Sequence, residues 1–253
     1  MAITLGSMSQ LATLNQSANL AIAKRADVSS DPFAAANKRV EQQLASTAVK
    51  LSSFSQIKSG FAEVQSAAKA LTNPPATATA DDAVKSAQAF ANAYNTATAA
   101  VNTASKTGGK QDGALAGDVR AQLAGNDLKS IVGNGTNAND LKNIGITLKS
   151  DGTMAVDATA LKAALQANPS AANETLSKVG QQAARVTTKE LAATGNIGNS
   201  VNTLSNLSKG LETKLSDQAK YASALQSNVQ QQVASFSGVG ASGVASYLQT
   251  YSL

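Results

Sequence analysis

The sequence predicts a mainly α-helical fold. A long antiparallel coiled coil forms from its N- and C-terminal segments, and a small middle of short helices and one β-hairpin lies between them. Three observations carry this expectation. Apolar residues recur at steps of three and four through two long stretches, about 34–71 and 201–236, which is helical spacing. Aromatic residues make up only 4% of the chain and Trp is absent, whereas Ala, Ser, Gln and Asn abound. Such a composition suits closely packed helices better than a thick round core. The third observation is that neither end carries a charge. No Asp, Glu, Lys or Arg occurs in residues 1–23 or 221–253, and every ionic side chain falls between Lys24 and Lys220.

In the N-terminal arm, Met8, Leu11, Leu14, Ala18 and Ile22 keep the amphipathic step. Ser29, Ser30 and Asp31 ahead of Pro32 mark a break with a helix start after it. The first long helix then runs over about 34–71, through Val40, Leu44, Thr47, Leu51, Phe54, Ile57, Phe61, Val64, Ala68 and Leu71. Asn73-Pro74-Pro75 stops it. After a Thr/Ala linker at 76–80, Asp81 and Asp82 fall in the first turn of a second helix, at the positive end of its dipole. That helix's seam is Val84, Ala87, Ala91, Tyr94, Thr98 and Val101.

Shorter elements follow. Helices are expected over 114–123 and 127–132, with a turn-like Gly/Asn stretch at 133–139. Asp151-Gly152 between apolar runs at 144–148 and 153–156 is the strongest local hairpin signal. Asp157 caps a helix that ends near Asn168-Pro169, and a short helix covers 170–179. The last long pattern is Val201, Leu204, Leu207, Leu211, Leu215, Ala219, Ala222, Leu225, Val229, Val233 and Phe236. A Gly-containing stretch at 238–243 is expected to break it, before a last amphipathic turn with Val244, Tyr247 and Leu248. The chain therefore divides into an N-terminal assembly arm (1–31), a helical core (32–220) with a middle subdomain at about 106–195, and a C-terminal assembly arm (221–253).

Composition excludes several functions. Without Cys there is no disulfide and no thiol chemistry, and without His the commonest general base and metal ligand are missing. Asp81-Asp82 reads as a helix start, since adjacent helical positions diverge by about 100°. Gly108-Gly109-Lys110 lacks the spacing of a phosphate loop and the Ser or Thr that follows its Lys. No catalytic, cofactor or metal site is expected, and the chain reads as no enzyme. The net charge is +5, but its cations are scattered in ones and twos, unlike a nucleic-acid footprint. Residues 1–23 are too polar to span a bilayer and lack a basic lead-in, so no membrane span and no cleaved signal are expected.

Long neutral ends with an apolar stripe read as surfaces buried against other copies of the chain. The residues expected to carry self-assembly are Leu11, Leu14, Ile22, Leu225, Val229, Val233, Phe236, Tyr247 and Leu248. The stripes at 40–71 and 201–215 read as intramolecular core.

Several strings resemble one family. Residues 37–71, NKRVEQQLASTAVKLSSFSQIKSGFAEVQSAAKAL, look like the N-terminal helix of the flagellar filament cap protein (hook-associated protein 2) family. Residues 87–95, AQAFANAYN, resemble the helix by which that family re-enters its core after its outer domains. The most specific match is 144–169, IGITLKSDGTMAVDATALKAALQANP, and the ending Ser246-Tyr247-Leu248 is also similar. The family's outer β-rich head domains have no counterpart here, because only residues 74–80 fill their place. The resemblance implies an extracellular axial subunit of a flagellum or flagellum-like filament, exported unfolded with its N-terminus intact and needing no cofactor. Its partners would be further copies of itself in an oligomer or helical polymer, with flagellin, hook-junction proteins and an export chaperone as further candidates. Cap-like and filament-subunit roles fit the strings equally. Two other classes compete: a type III secretion tip-like protein, and, less strongly, a basic helical protein that binds nucleic acid or membranes.

Overall fold

Helical periodicity governs most of the computed structural model, which describes residues 33–73, 78–133 and 136–251, with side chains set aside at 136–137, 237–239 and 241–251. The elements in order are α1 (Ala34–Thr72), α2 (Ala80–Ser105), α3 (Val119–Gly133), α4 (Thr136–Asn143), β1 (Ile146–Leu148), β2 (Met154–Val156), α5 (Ala158–Ala167), α6 (Pro169–Leu191) and α7 (Asn196–Tyr251). The chain divides into two compact units. One is residues 44–209, and the other joins, among the described residues, 33–43 to 210–251.

In the 44–209 unit, α1 turns Phe54, Ile57, Phe61, Val64, Ala68 and Leu71 into the core, the three-and-four stripe that its sequence predicts. Gly60 lets α1 approach α2 closely, since a Cβ there would lie 2.9 Å from the Ala97 Cα. The other flank of α1 meets α6, where Gln65 Nε2 donates to Thr188 Oγ1 at 2.9 Å.

Helix α2 is the hub. Its start is fixed by a capping box: the Asp82 N–H donates to Thr79 Oγ1, and the Thr79 N–H donates to Asp82 Oδ2. These bonds to Thr79, backbone first, hold the Asp82 carboxyl below its usual range. The predicted seam is buried, and Phe90, Ala97 and Ala104 join it. The wider arc follows from packing on several sides, because α2 also contacts α3, α5 and β2. Burial pushes the Tyr94 hydroxyl up to about 12, so it stays neutral.

The hairpin pairs β1 and β2 antiparallel, with Ile146 opposite Val156 and Leu148 opposite Met154. Gly152 takes φ +83° in the turn, the left-handed region that its lack of a Cβ allows. Asp151 Oδ1 accepts from the Thr153 hydroxyl and N–H, which pin the turn. Asn95 replaces a third strand at the edge. Its Nδ2 donates to the Met154 carbonyl at 2.9 Å, and its Oδ1 accepts from the Met154 N–H at 2.7 Å. Asn95→Ala strips both partners from a half-buried peptide group. We expect a loss of about 1–3 kcal/mol in urea unfolding, the usual cost of orphaned polar groups.

Asp157 caps α5 by accepting from the N–H groups of Thr159 and Ala160, and Asn168 caps α6 with Pro169 in the first turn. The Asp157 cap, the hairpin and the bounds of α1 and α2 agree with the sequence expectations, whereas the Asn168 cap was not among them.

Elsewhere the structure corrects them. The separate helices expected at 114–123 and 127–132 are a turn at 114–117 followed by the single helix α3. Gly125 lies inside α3, where a Cβ would crowd the Val101 side chain, so it serves a close approach and not a break. The turn-like stretch at 133–139 holds the start of α4, apart from residues 134–135, which lie outside the description. The short helix expected at 170–179 is the 23-residue α6. The break expected at 238–243 does not occur, because α7 continues to Tyr251. A Gly within a helix costs only about 1 kcal/mol relative to Ala, and no Pro interrupts this stretch. Leu207, expected in the intramolecular seam, is 41% exposed. No helix among the described residues is long and apolar enough to cross a membrane.

Candidate assembly surface

Helix α7 leaves its last ionic side chains behind at Asp217 and Lys220. These pair with one another on the surface at 3.4 Å, a contact of little energetic weight. Every side chain after them is uncharged. In the unit formed by the two ends, the ring of Phe33, next to the start of α1, meets the ring of Tyr221 on α7. The centroids are 6.0 Å apart at an interplanar angle of 75°, an edge-to-face contact. Val40 and Leu211 are buried in the same unit.

Beyond Tyr221 the apolar row continues without cover among the described residues. Leu225 is 39% exposed, Val229 54%, Val233 42% and Phe236 78%. Steps of four, four and three keep these four on one face. Single exposed apolar residues are ordinary, but a row of four large ones on one helix is a surface feature. Its flanks matter as much. Gln226, Asn228, Gln230, Gln231 and Gln232 are neutral amides that donate and accept hydrogen bonds. Covering such a helix therefore buries apolar area without stripping water from ions, which is the expensive part of burying a surface.

The structure thus brings Leu225, Val229, Val233 and Phe236 together as one face. Tyr247 and Leu248 lie further along the same helix, with only their backbone described. Leu11, Leu14 and Ile22 lie outside the described residues. The continuity of α7 was not read from the sequence. The absence of Pro was the signal for it, and the Gly residues obscured that signal.

No triad of His, Cys, Asp and Glu side chains among the described residues could hold a metal ion.

The family model for the C-terminal part of flagellar hook-associated protein 2 matches residues 75–239, well over half of the chain. The chain belongs to the hook-associated protein 2 family. A search of curated proteins returned no match. Family membership makes it a structural protein of the bacterial flagellum, of the cap-like, hook-associated kind that acts in motility. Hook-associated protein 2 forms an oligomeric cap outside the cell, on the flagellar filament. The matched span runs from just before α2, through the Asn95-clamped hairpin, and into the exposed row on α7.

Proposed function

We propose that this chain is an extracellular axial subunit of a flagellum or flagellum-like filament that assembles with its own copies through its two neutral ends. The observation that carries this reading is the uncharged, exposed row Leu225, Val229, Val233 and Phe236 on an unbroken helix of a hook-associated protein 2 family chain. Burying each of these side chains against a neighbour is worth about 1.5–3 kcal/mol. Repeated along an assembly, such contacts offset the translational and rotational freedom lost when copies associate. Leu11, Leu14 and Ile22 contribute from the N-terminal arm, and Tyr247 and Leu248 from the far end of α7. The Phe33–Tyr221 contact supports an antiparallel pairing of the two long helices as the stem that presents both arms.

Only seven residues separate the end of α1 at Thr72 from the start of α2 at Ala80, where the cap family's outer head would be inserted. That economy favours a subunit that polymerises, or seats at a junction, over a full tip-covering plate. The chain leaves the cell unfolded. Flagellin, hook-junction proteins and an export chaperone are the partners to test.

Negative-stain electron microscopy of the full chain across a concentration series tests the reading. Long uniform filaments are expected for a filament subunit, and rings or short stacks for a cap or junction piece. Dispersed monomers at every concentration would overturn self-assembly and favour a heterologous partner, as in a secretion tip.

A further inference from the structure

Among the described residues, Glu190 is the one fully buried carboxyl. It sits in the last turn of α6. The chain then bends through 192–195 and re-enters a helix at Asn196, so Glu190 lies inside the corner between α6 and α7. The corner is tight: Gly195 packs against the carbonyls of Lys189 and Glu190 so closely that no Cβ fits. Asn196 Nδ2 donates to Glu190 Oε1 at 2.9 Å, tying the first residue of α7 to the last turn of α6. Glu190 Oε2 is buried with no donor.

The neighbour that remains is another acid. The carboxyl of Asp127, on α3, stands beside Glu190 with the Lys189 ammonium between them. Lys189 Nζ holds Asp127 Oδ2 at 2.7 Å and stands 3.9 Å from Glu190 Oε1. Two carboxylates only accept hydrogen bonds, so this pair is satisfied only if one of them carries a proton. Asp127, more exposed and gripped by Lys189, keeps the charge, and Glu190 keeps the proton. We propose that Glu190 and Asp127 share one proton as a latch that closes the corner between α6 and α7 and releases it when the proton leaves.

The surroundings of the two carboxyls agree with the geometry. Burial first, then the Asp127 carboxyl, pushes the Glu190 carboxyl up to about 7. For Asp127, burial acts upward, but the hydrogen bond from Lys189 and the Glu190 carboxyl outweigh it and carry the group below its usual range. From α3 the charged group facing Glu190 is Asp127, from α6 it is Lys189, and α7 presents the uncharged Asn196. The chain has no His and no Cys, so no side chain of ordinary pKa titrates between pH 5 and 8. Among the described residues, Glu190 is therefore the carboxyl placed to sense that interval.

The sign follows from linkage. A carboxyl whose folded value lies above its unfolded 4.5 stabilises the closed corner in full below pH 4.5. That contribution shrinks as pH rises and is lost above about 7. Asp127 acts in the opposite direction, in the lower window at and beneath 3.8.

Carboxyl-detected NMR of the full chain from pH 4 to 9, with amide exchange of residues 187–200, tests the latch. A Glu190 midpoint near 7 is expected. The opening constant of the corner should rise by up to about tenfold per pH unit between pH 5 and 7, then level off. Glu190→Gln should remove that rise, and Asp127→Asn should lower the midpoint. A midpoint below about 5, the ordinary carboxyl range, would overturn the proposal. So would a Glu190→Gln chain with the wild-type pH dependence. If Glu190→Gln does not fold, the wild-type midpoint decides alone.

Discussion

Val229→Asp with Phe236→Asp should abolish the proposed assembly while the 44–209 unit keeps its melting temperature. Both side chains are exposed in the single chain, at 54% and 78%, so neither supports the core. Exposed helix substitutions of this kind usually stay within about 0.5 kcal/mol of wild type. In an assembled contact the change is far larger. Each substitution forfeits about 1.5–3 kcal/mol of apolar burial. It also places a carboxylate where the surrounding amides and apolar groups offer no cation, which adds a desolvation penalty. Even about 3 kcal/mol in total weakens association over a hundredfold, and every repeat of the contact multiplies the effect. Sedimentation velocity reads the loss, and differential scanning calorimetry reads the retained core. Removing residues 1–23 should give the same pair of results. Assembly by the double variant at wild-type concentration would show that the row is not the contact.

The sequence displayed this row because nothing disguises it: four large apolar residues stand among amides with no charge nearby. The core faces of α1 and α2 were legible for a related reason, since Phe54, Ile57, Phe61 and Tyr94 announce the buried side by size. Where small or polar residues line the core, the sequence is silent. Helix α6 buries Ala172, Gly180, Ala183 and Thr187 beside Leu176, Val179 and Val186, and the pattern thins after Val179. Gly180 is there because a Cβ would meet the Ala68 carbonyl and the Thr72 and Leu71 side chains of α1, a reason that exists only in the packed fold. Phe90 was legible as apolar, but its burial depends on a second packing face of α2. Glu190 is the extreme case. Lys189-Glu190 reads as any solvated pair of charges, and only the tertiary fold brings Asp127 against it from 63 positions upstream.

Phe61→Ala removes about 3–5 kcal/mol from the 44–209 unit, the range for truncating a buried aromatic. Phe61 is fully buried and follows Gly60, where α1 lies close against α2. That closeness limits repair: two helix backbones already in contact cannot move together to fill the void, so the cost should fall toward the upper end. Domain stabilities are only about 5–15 kcal/mol, so the loss is a large share of the total. Its reach is the sharper test. One apolar cluster runs from Phe54 to Ile197 and includes Ile146 and Met154 of the hairpin and Leu161 of α5. If that cluster folds as one cooperative body, amides in β1, β2 and α5 lose as much protection as those in α1, although none of those strands or helices touches the substituted turn by sequence. Urea unfolding followed by amide exchange separates the outcomes. Uniform loss shows that α1 and the middle elements stand or fall together. Loss confined to α1 would mean that residues 119–191 form a unit able to fold without the first long helix.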